Sequence, residues 1–239
     1  MNSNKNHARI AHGLFWLVGI ICLLVVSPAS AISICASNLA LLKGALSLGT
    51  LQSSAYTIQI VQGSYLMDAD VETYFSAPTT IEGGYSANCA TRTVNAGNTT
   101  INAQGHFFHL YQHLASPQAL LNIDGLTLSN ATGIQFTAGD YGSFSNDEGS
   151  LHVSNVRFTQ VAEGIAFSVF NGEATFENIL IDHVFGTGSS AVSLFMEGSA
   201  AVMINHMTAD LPSGTDFKFH DNGQATSFSV YNSILWNSS

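Results

Sequence analysis

A short apolar pattern returns five times in the second half of this 239-residue chain, and it limits the possible folds sharply. Two alternating apolar positions precede a polar or Gly corner, and two more follow it. The clear copies are Leu121-x-Ile123-x-Gly125-Leu126-x-Leu128, Leu151-x-Val153-x-Asn155-Val156-x-Phe158 and Ala174-x-Phe176-x-Asn178-Ile179-x-Ile181. Two weaker copies are centred on His206 and Asn232. The corners Gly125, Asn155, Asn178, His206 and Asn232 lie 30, 23, 28 and 26 positions apart. Self-similarity at such a period marks a solenoid, whose units bury their apolar faces only by stacking on neighbours. One continuous domain is therefore expected over residues 32–239.

Each unit also carries a second alternating run beyond its corner: Ile134-x-Phe136, Ile165-x-Phe167, Val192-x-Leu194 and Phe217-x-Phe219. A glycine (Gly149, Gly172, Gly198 or Gly223) precedes each return to the pattern. Three short strands per turn predict an all-β fold, a right-handed single-stranded parallel β-helix, with equivalent residues stacked at the ~4.8 Å strand spacing. The longer Leu/Asn consensus of a leucine-rich repeat is absent. Asn155, Asn178 and Asn232 suit a corner stack, because Asn tolerates left-handed backbone angles and its amide can bond the turns above and below. Gly125 shares the tolerance without the bonding, and Asn178 is expected to be buried. His206 is the misfit, where a distorted or differently bonded turn is expected.

Upstream, residues 35–48 fit one helical face through Leu39, Leu41, Leu42, Ala45 and Leu46, a short N-terminal helix covering the open end of the stack. Tyr56–Val61 reads as a strand and Gly83-Gly84-Tyr85 as a turn. Residues 1–31 read as a signal peptide: Lys5 and Arg9, then the apolar Leu14–Val26, then Ala29-Ser30-Ala31. The apolar run falls short of the ~20 residues that a bilayer span needs, so a secreted or cell-surface protein with no stable membrane span is expected. After cleavage four cations (Lys43, Arg92, Arg157 and Lys218) would face sixteen acids. That balance argues against nucleic acid, which requires a basic stripe. Only 9% of residues are charged, so Ser, Thr, Asn, Gln and Gly must build the surface. Cys35 and Cys89 remain as an even pair, and an oxidising compartment predicts a disulfide between them; two free thiols are the alternative.

The signal-helix-strand opening, Ile81-Glu82-Gly83-Gly84-Tyr85-Ser86 and the Asn-cornered units resemble the right-handed parallel β-helix, or pectin-lyase-like, superfamily. Within it the chain is most similar to secreted bacterial β-helix proteins of adhesin or polymorphic outer-membrane type. The resemblance implies a scaffold for surface or carbohydrate binding, its partner a polysaccharide or a cell-surface component, without cofactor. It also implies the alternative of a polysaccharide lyase or glycoside hydrolase acting on acidic polysaccharide. In such enzymes the groove lies along the first strand stack and the loop that precedes it, here Ser129–Thr132, Gln160–Glu163, Asp182–Gly188 and Ala209–Thr215. Asp182 and Asp210 would sit on adjacent turns, joined by Asp216, Lys218 and His220, with Ca2+ bridging acids and a uronate. Arg157 is expected on a different face, leaving Lys218 as the lyase base. The polygalacturonase-type Asn-Thr-Asp, Asp-Asp and Gly-His-Gly signatures are absent.

His106, His109 and His113 have no nearby cysteine or carboxylate in sequence to complete a metal set, and read as a polar strand face. No cap-like segment follows the last unit, so the natural chain is expected to continue past Ser239.

Overall fold

Alternating apolar residues make a strand that can bury one face only, and a stack of such strands closes a core when the chain turns back on itself. That is the arrangement in the computed structural model, which describes residues 31–112, 119–139, 149–185, 190–212, 216–222 and 227–238. Residues 1–30, His113 and Gly223 of the sequence reading lie outside them. The fold is an all-β parallel solenoid of about seven turns with one short N-terminal helix. Strand β1 (Ile32–Ala36) and helix α1 (Leu39–Gly49) open it. The first turn is β2 (Tyr56–Val61), β3 (Gly63–Leu66) and β4 (Val71–Phe75), and the second β5 (Thr79–Tyr85), β6 (Thr99–Asn102) and β7 (Phe108–Gln112). β8 (Ala119–Asp124), β9 (Thr127–Ser129) and β10 (Ile134–Ala138) follow, then β11 (Gly149–Ser154), β12 (Arg157–Val161) and β13 (Ile165–Phe170). In the last turns the corner no longer interrupts the strand: β14 (Glu173–Val184) and β16 (Ala201–Pro212) run through it, each followed by a shorter strand, β15 (Ser190–Glu197) and β17 (Asp216–Asp221). β18 (Ser227–Tyr231) and β19 (Ile234–Ser238) make the final turn.

These strands line three walls. The first wall, before the corners, stacks β1, β2, β5, β8, β11, β14, β16 and β18; the second continues past the corners through β3, β6, β9, β12, β14, β16 and β19. The third is a separate sheet, ordered β4-β7-β10-β13-β15-β17. Every ladder between named strands is parallel. One inward column on the first wall runs Ile58, Ile81, Ile123, Val153, Phe176 and Ile204. Its counterpart on the second wall is Tyr65, Ile101, Leu128, Phe158, Ile181 and Ala209. All twelve are buried. Phe136, Phe158, Phe167 and Phe176, drawn from all three walls, meet at the centre with ring centroids 4.8–6.1 Å apart, a spacing typical of favourable edge-to-face contacts. In the last turn Phe228, Val230 and Leu235 continue the inward columns but are about 40% exposed.

The N-terminal helix starts later than the sequence suggested. Cys35 lies in β1, paired in parallel with β2. Asn38 then caps α1, its side-chain oxygen accepting from the Leu41 amide at 3.0 Å, as N-cap residues do. Leu42, Ala45, Leu46 and Gly49 form the buried face of α1, and the Tyr56 hydroxyl donates to the Ala45 carbonyl at 2.9 Å. Gly83-Gly84-Tyr85 is not a turn but the end of β5, with an irregular register against β2. Gly84 has φ 91°, and a side chain there would strike the Thr93 carbonyl; one on Gly83 would strike the Gly125 carbonyl.

Candidate functional site

Strand alternation gives the third wall two outward columns. One runs Glu72, His109, Gln135, Ala166, Ser193 and Lys218; the other runs Tyr74, Tyr111, Thr137, Ser168, Phe195 and His220. The second column has aromatic ends and a small, polar middle. Tyr74 and Tyr111 stack at 4.7 Å between centroids, 11° from parallel, and Phe195 and His220 stack at 4.4 Å and 9°. Between the pairs, Thr137 and Ser168 are each only 7% exposed although they face outward. A depression of about 900 Å³ lies over this column and the strand ends at Gln112, Phe170 and Met196. A second, of about 390 Å³, adjoins it along Phe107, Glu163, Ala166 and Ser193; both are lined by Gln135, Phe195 and His220.

Hydrogen bonds tie the columns together. The Tyr111 hydroxyl donates to Gln135 Oε1 at 3.3 Å, and Gln135 Nε2 donates to Thr137 Oγ1 at 3.3 Å. With that proton committed, His109 Nδ1, 3.4 Å away, is the donor toward the Tyr111 oxygen. Burial pushes the His109 pKa below the ordinary imidazole range against the pull of Glu72 and Asp70, so the ring is neutral near pH 7. The Tyr74 hydroxyl donates to Glu72 Oε1 at 2.6 Å, and holding its proton for that carboxylate pushes its pKa up to about 12.

At the end of β7, on its inward face, one buried atom lacks a partner. Gln112 is fully buried, and its Nε2 donates to the carbonyls of Phe75 at 3.2 Å and Ala77 at 2.8 Å. Two carbonyls can be served only by the NH2 group, which fixes the amide orientation. Oε1 then has no donor among the described residues. Such an orphan costs about 1–3 kcal/mol until a donor arrives.

The residues singled out from sequence for a catalytic groove do not converge. Asp182 and Asp210 do stand side by side, but within β14 and β16 on the second wall rather than in loops. Asp216, Lys218 and His220 belong to β17 on the third. Arg157 is not on a face apart from Asp182: its Nη2 reaches Asp182 Oδ2 at 2.6 Å. Burial raises the Asp182 pKa, but bonds from Arg157 and Thr159 outweigh it and hold the carboxyl below its usual range. Asp210 accepts from Trp236 Nε1 at 2.5 Å. Of the histidines, His106 faces Asp70 at 3.3 Å; among the described residues no group of three His, Cys, Asp or Glu is arranged to hold a metal.

Cys35 and Cys89 form a disulfide across a separation of 54 residues, joining β1 to the excursion 86–98 that replaces the second turn's corner. The same excursion carries Arg92. Its Nε donates to the Gly83 carbonyl at 2.9 Å, Nη1 to Glu82 at 3.2 Å and Nη2 to Asp124 Oδ2 at 2.5 Å. All five corner residues have φ between 48° and 71°. Their side chains, however, form a surface ladder: Asn178 is exposed, because the left-handed corner turns its side chain away from the core. Asn178 Nδ2 donates to Asn155 Oδ1 at 3.1 Å, and Asn155 Nδ2 to Asp124 Oδ1 at 2.7 Å. At His206 the backbone continues unbroken in β16, and Asn232 donates instead to Asn205 Oδ1 at 3.1 Å.

No family model matches this chain, and no curated protein or solved structure matches it. The third wall combines stacked aromatic side chains with a depression on its outer face.

Proposed function

We propose that this chain is an exported, pectin-lyase-like β-solenoid that binds carbohydrate, without turning it over, along its third wall. The observation that carries the reading is the depression over the outward column of the third wall, flanked by two aromatic stacks. A sugar supplies both complements: apolar ring faces for Tyr111 and Phe195, and hydroxyls for Thr137 and Ser168 in the column between them. Binding is favoured over catalysis because the carboxylates named for a groove lie on two walls, and one of them is neutralised by Arg157. Residues 1–31 direct export, and presentation at a cell surface gives an adhesin-like role.

Depletion of the mature protein from solution by insoluble polysaccharides tests the reading. The expected result is retention on at least one polysaccharide, abolished in Tyr111→Ala/Phe195→Ala, with no release of reducing or unsaturated ends. Retention unchanged in that variant, or release of ends, refutes it.

A further inference from the structure

We infer that the Cys35–Cys89 bridge is a redox latch on the N-terminal cap. With the bridge made, β1 and α1 are locked onto the stack; with both thiols reduced they open from it as a unit while the later turns stay folded. The latch does not depend on the carbohydrate reading. Its two sides are held very differently. Cys89 sits in the excursion 86–98, which is fastened without the bridge. There the Ser86 amide donates to the Thr91 carbonyl and the Thr93 amide to the Gly84 carbonyl, each at 2.9 Å. Thr127 Oγ1 donates to the Ala96 carbonyl at 2.8 Å, and Arg92 bonds Gly83, Glu82 and Asp124. Cys35 sits in β1, which among the described residues ends the first wall and pairs with β2 alone. α1 follows it, and buries only Leu42, Ala45, Leu46 and Gly49, while Leu41 and Leu48 on its outer face are 45% and 43% exposed. Two hydroxyls tie this unit to the turn beneath: Tyr56 to the Ala45 carbonyl at 2.9 Å and Tyr65 to the Ala36 carbonyl at 3.0 Å. The ion pair from Lys43 to Asp68 is exposed on both sides and contributes little. Residues 50–55, none of them buried, are the covalent link onward to β2. The cap is therefore the side that moves.

The bridge changes what opening means. Joined to the fastened excursion, α1 can leave only inside a closed loop, residues 36–55. With the bridge reduced it leaves on a free end. Loop closure over that length makes opening about a hundredfold rarer in the bridged form. An open cap uncovers Tyr56, Ile58 and Phe75, each no more than 1% exposed when it is closed, and frees the edge of β2, a template for pairing with another chain. A compartment that keeps thiols reduced thus leaves this end of the solenoid loose, and an oxidising one closes it. Both cysteines are half-buried, within reach of small thiols and disulfides. Closing is exchange with a small-molecule disulfide such as oxidised glutathione. The two cysteine thiols lose two electrons and two protons and form one S–S bond, while the glutathione S–S bond breaks to give two thiols.

The test is amide hydrogen exchange, read by mass spectrometry, on the folded protein when oxidised, when reduced with dithiothreitol, and when reoxidised with oxidised glutathione. On reduction, exchange over Ile32–Gly49 should speed up about a hundredfold and run to completion while β8 to β13 remain protected. Reoxidation should restore the first pattern. Cys35→Ser/Cys89→Ser should match the reduced protein without reductant. With the bridge intact, Leu46→Ala, which thins the buried face of α1, should raise exchange over the same stretch and leave β8 to β13 protected. Cap exchange unchanged by reduction, cap and β8 to β13 exchanging together, or the excursion 86–98 opening in place of the cap overturns the inference.

Discussion

Two arginine–carboxylate pairs of nearly equal length offer a sharp test of how burial sets their worth. Arg92 meets Asp124 at 2.5 Å and Arg157 meets Asp182 at 2.6 Å. Yet the Arg92, Asp124 and Glu82 side chains are only 19%, 12% and 20% exposed, whereas Arg157 is 45% exposed. Arg92→Met would leave Asp124 with Ser154 and Asn155 as donors and Glu82 with the Tyr85 hydroxyl, but among the described residues it removes the only counter-charge paired with either acid. The Gly83 carbonyl also loses its donor. Removing one partner of a buried pair costs 3–5 kcal/mol, and partial exposure puts this case at about 3. Arg157→Met should cost no more than about 1 kcal/mol: Asp182 is itself only 17% exposed, but the 45% exposed guanidinium is screened and gives up side-chain entropy to pair, and Thr159 still bonds the carboxylate. In a folded unit of this size each kcal/mol moves Tm by about 2–4 °C. Melting followed by far-UV circular dichroism, with the disulfide intact, should thus fall by about 6–12 °C for Arg92→Met and by no more than about 4 °C for Arg157→Met. Equal shifts would refute the argument that burial decides.

Three further outcomes follow from the same structure. Replacing Cys35 and Cys89 by serine should cost about 4 kcal/mol on the chain-entropy model, read by denaturant unfolding; peptide mapping of the unreduced parent should find the two cysteines linked. At the corners, Asn178→Leu should destabilise by about 1–2 kcal/mol, since Leu tolerates the left-handed angle poorly, whereas His206→Asn should raise Tm by completing the ladder; a fall in Tm for His206→Asn would sink this. Below about pH 4 the parent should lose stability as Asp124 and Asp182 titrate, because both carboxyls are held below their unfolded pKa. For Asp124, burial opposes that lowering and the bonds from Ser154, Asn155 and Arg92 prevail, so Arg92→Met should show a shallower acid limb than the parent.

The five corner units were legible because each carries its own strand-corner-strand pattern within nine residues or so. The first two turns were not. One bends at Gln62-Gly63 and the other opens into residues 86–98, so the Gly corner of the first has no counterpart one period later from which the repeat could be counted. Asn178 misled in a different way: a polar residue between buried apolar ones reads as interior, but its positive φ sends the side chain to the surface. Asp182 and Asp210 were correctly matched across turns, while Arg157 was assigned to the wrong face. In β12 and β14 Arg157 aligns with Leu180 and Thr159 with Asp182, so the guanidinium needs only a diagonal reach. The proposed binding wall was hidden because its column joins Tyr, Thr, Ser, Phe and His. A usable signal was present: Thr137, Ser168, Phe195 and His220 each immediately follow an apolar pair already identified, Ile134-x-Phe136 through Phe217-x-Phe219.

The in-register stacking of the third wall makes the turn a unit of length. The interval between the two aromatic platforms is counted in whole turns, while the direction in which a side chain points depends only on its place within one turn. Gain or loss of a complete turn between Tyr111 and Phe195 would therefore lengthen or shorten the reach of the wall by one strand spacing and leave its facing residues in phase. Gain or loss of a single residue within β10 or β13 would instead rotate Thr137 or Ser168 into the core. A molecule built in this way can change the size of what it measures without redesigning how it holds it.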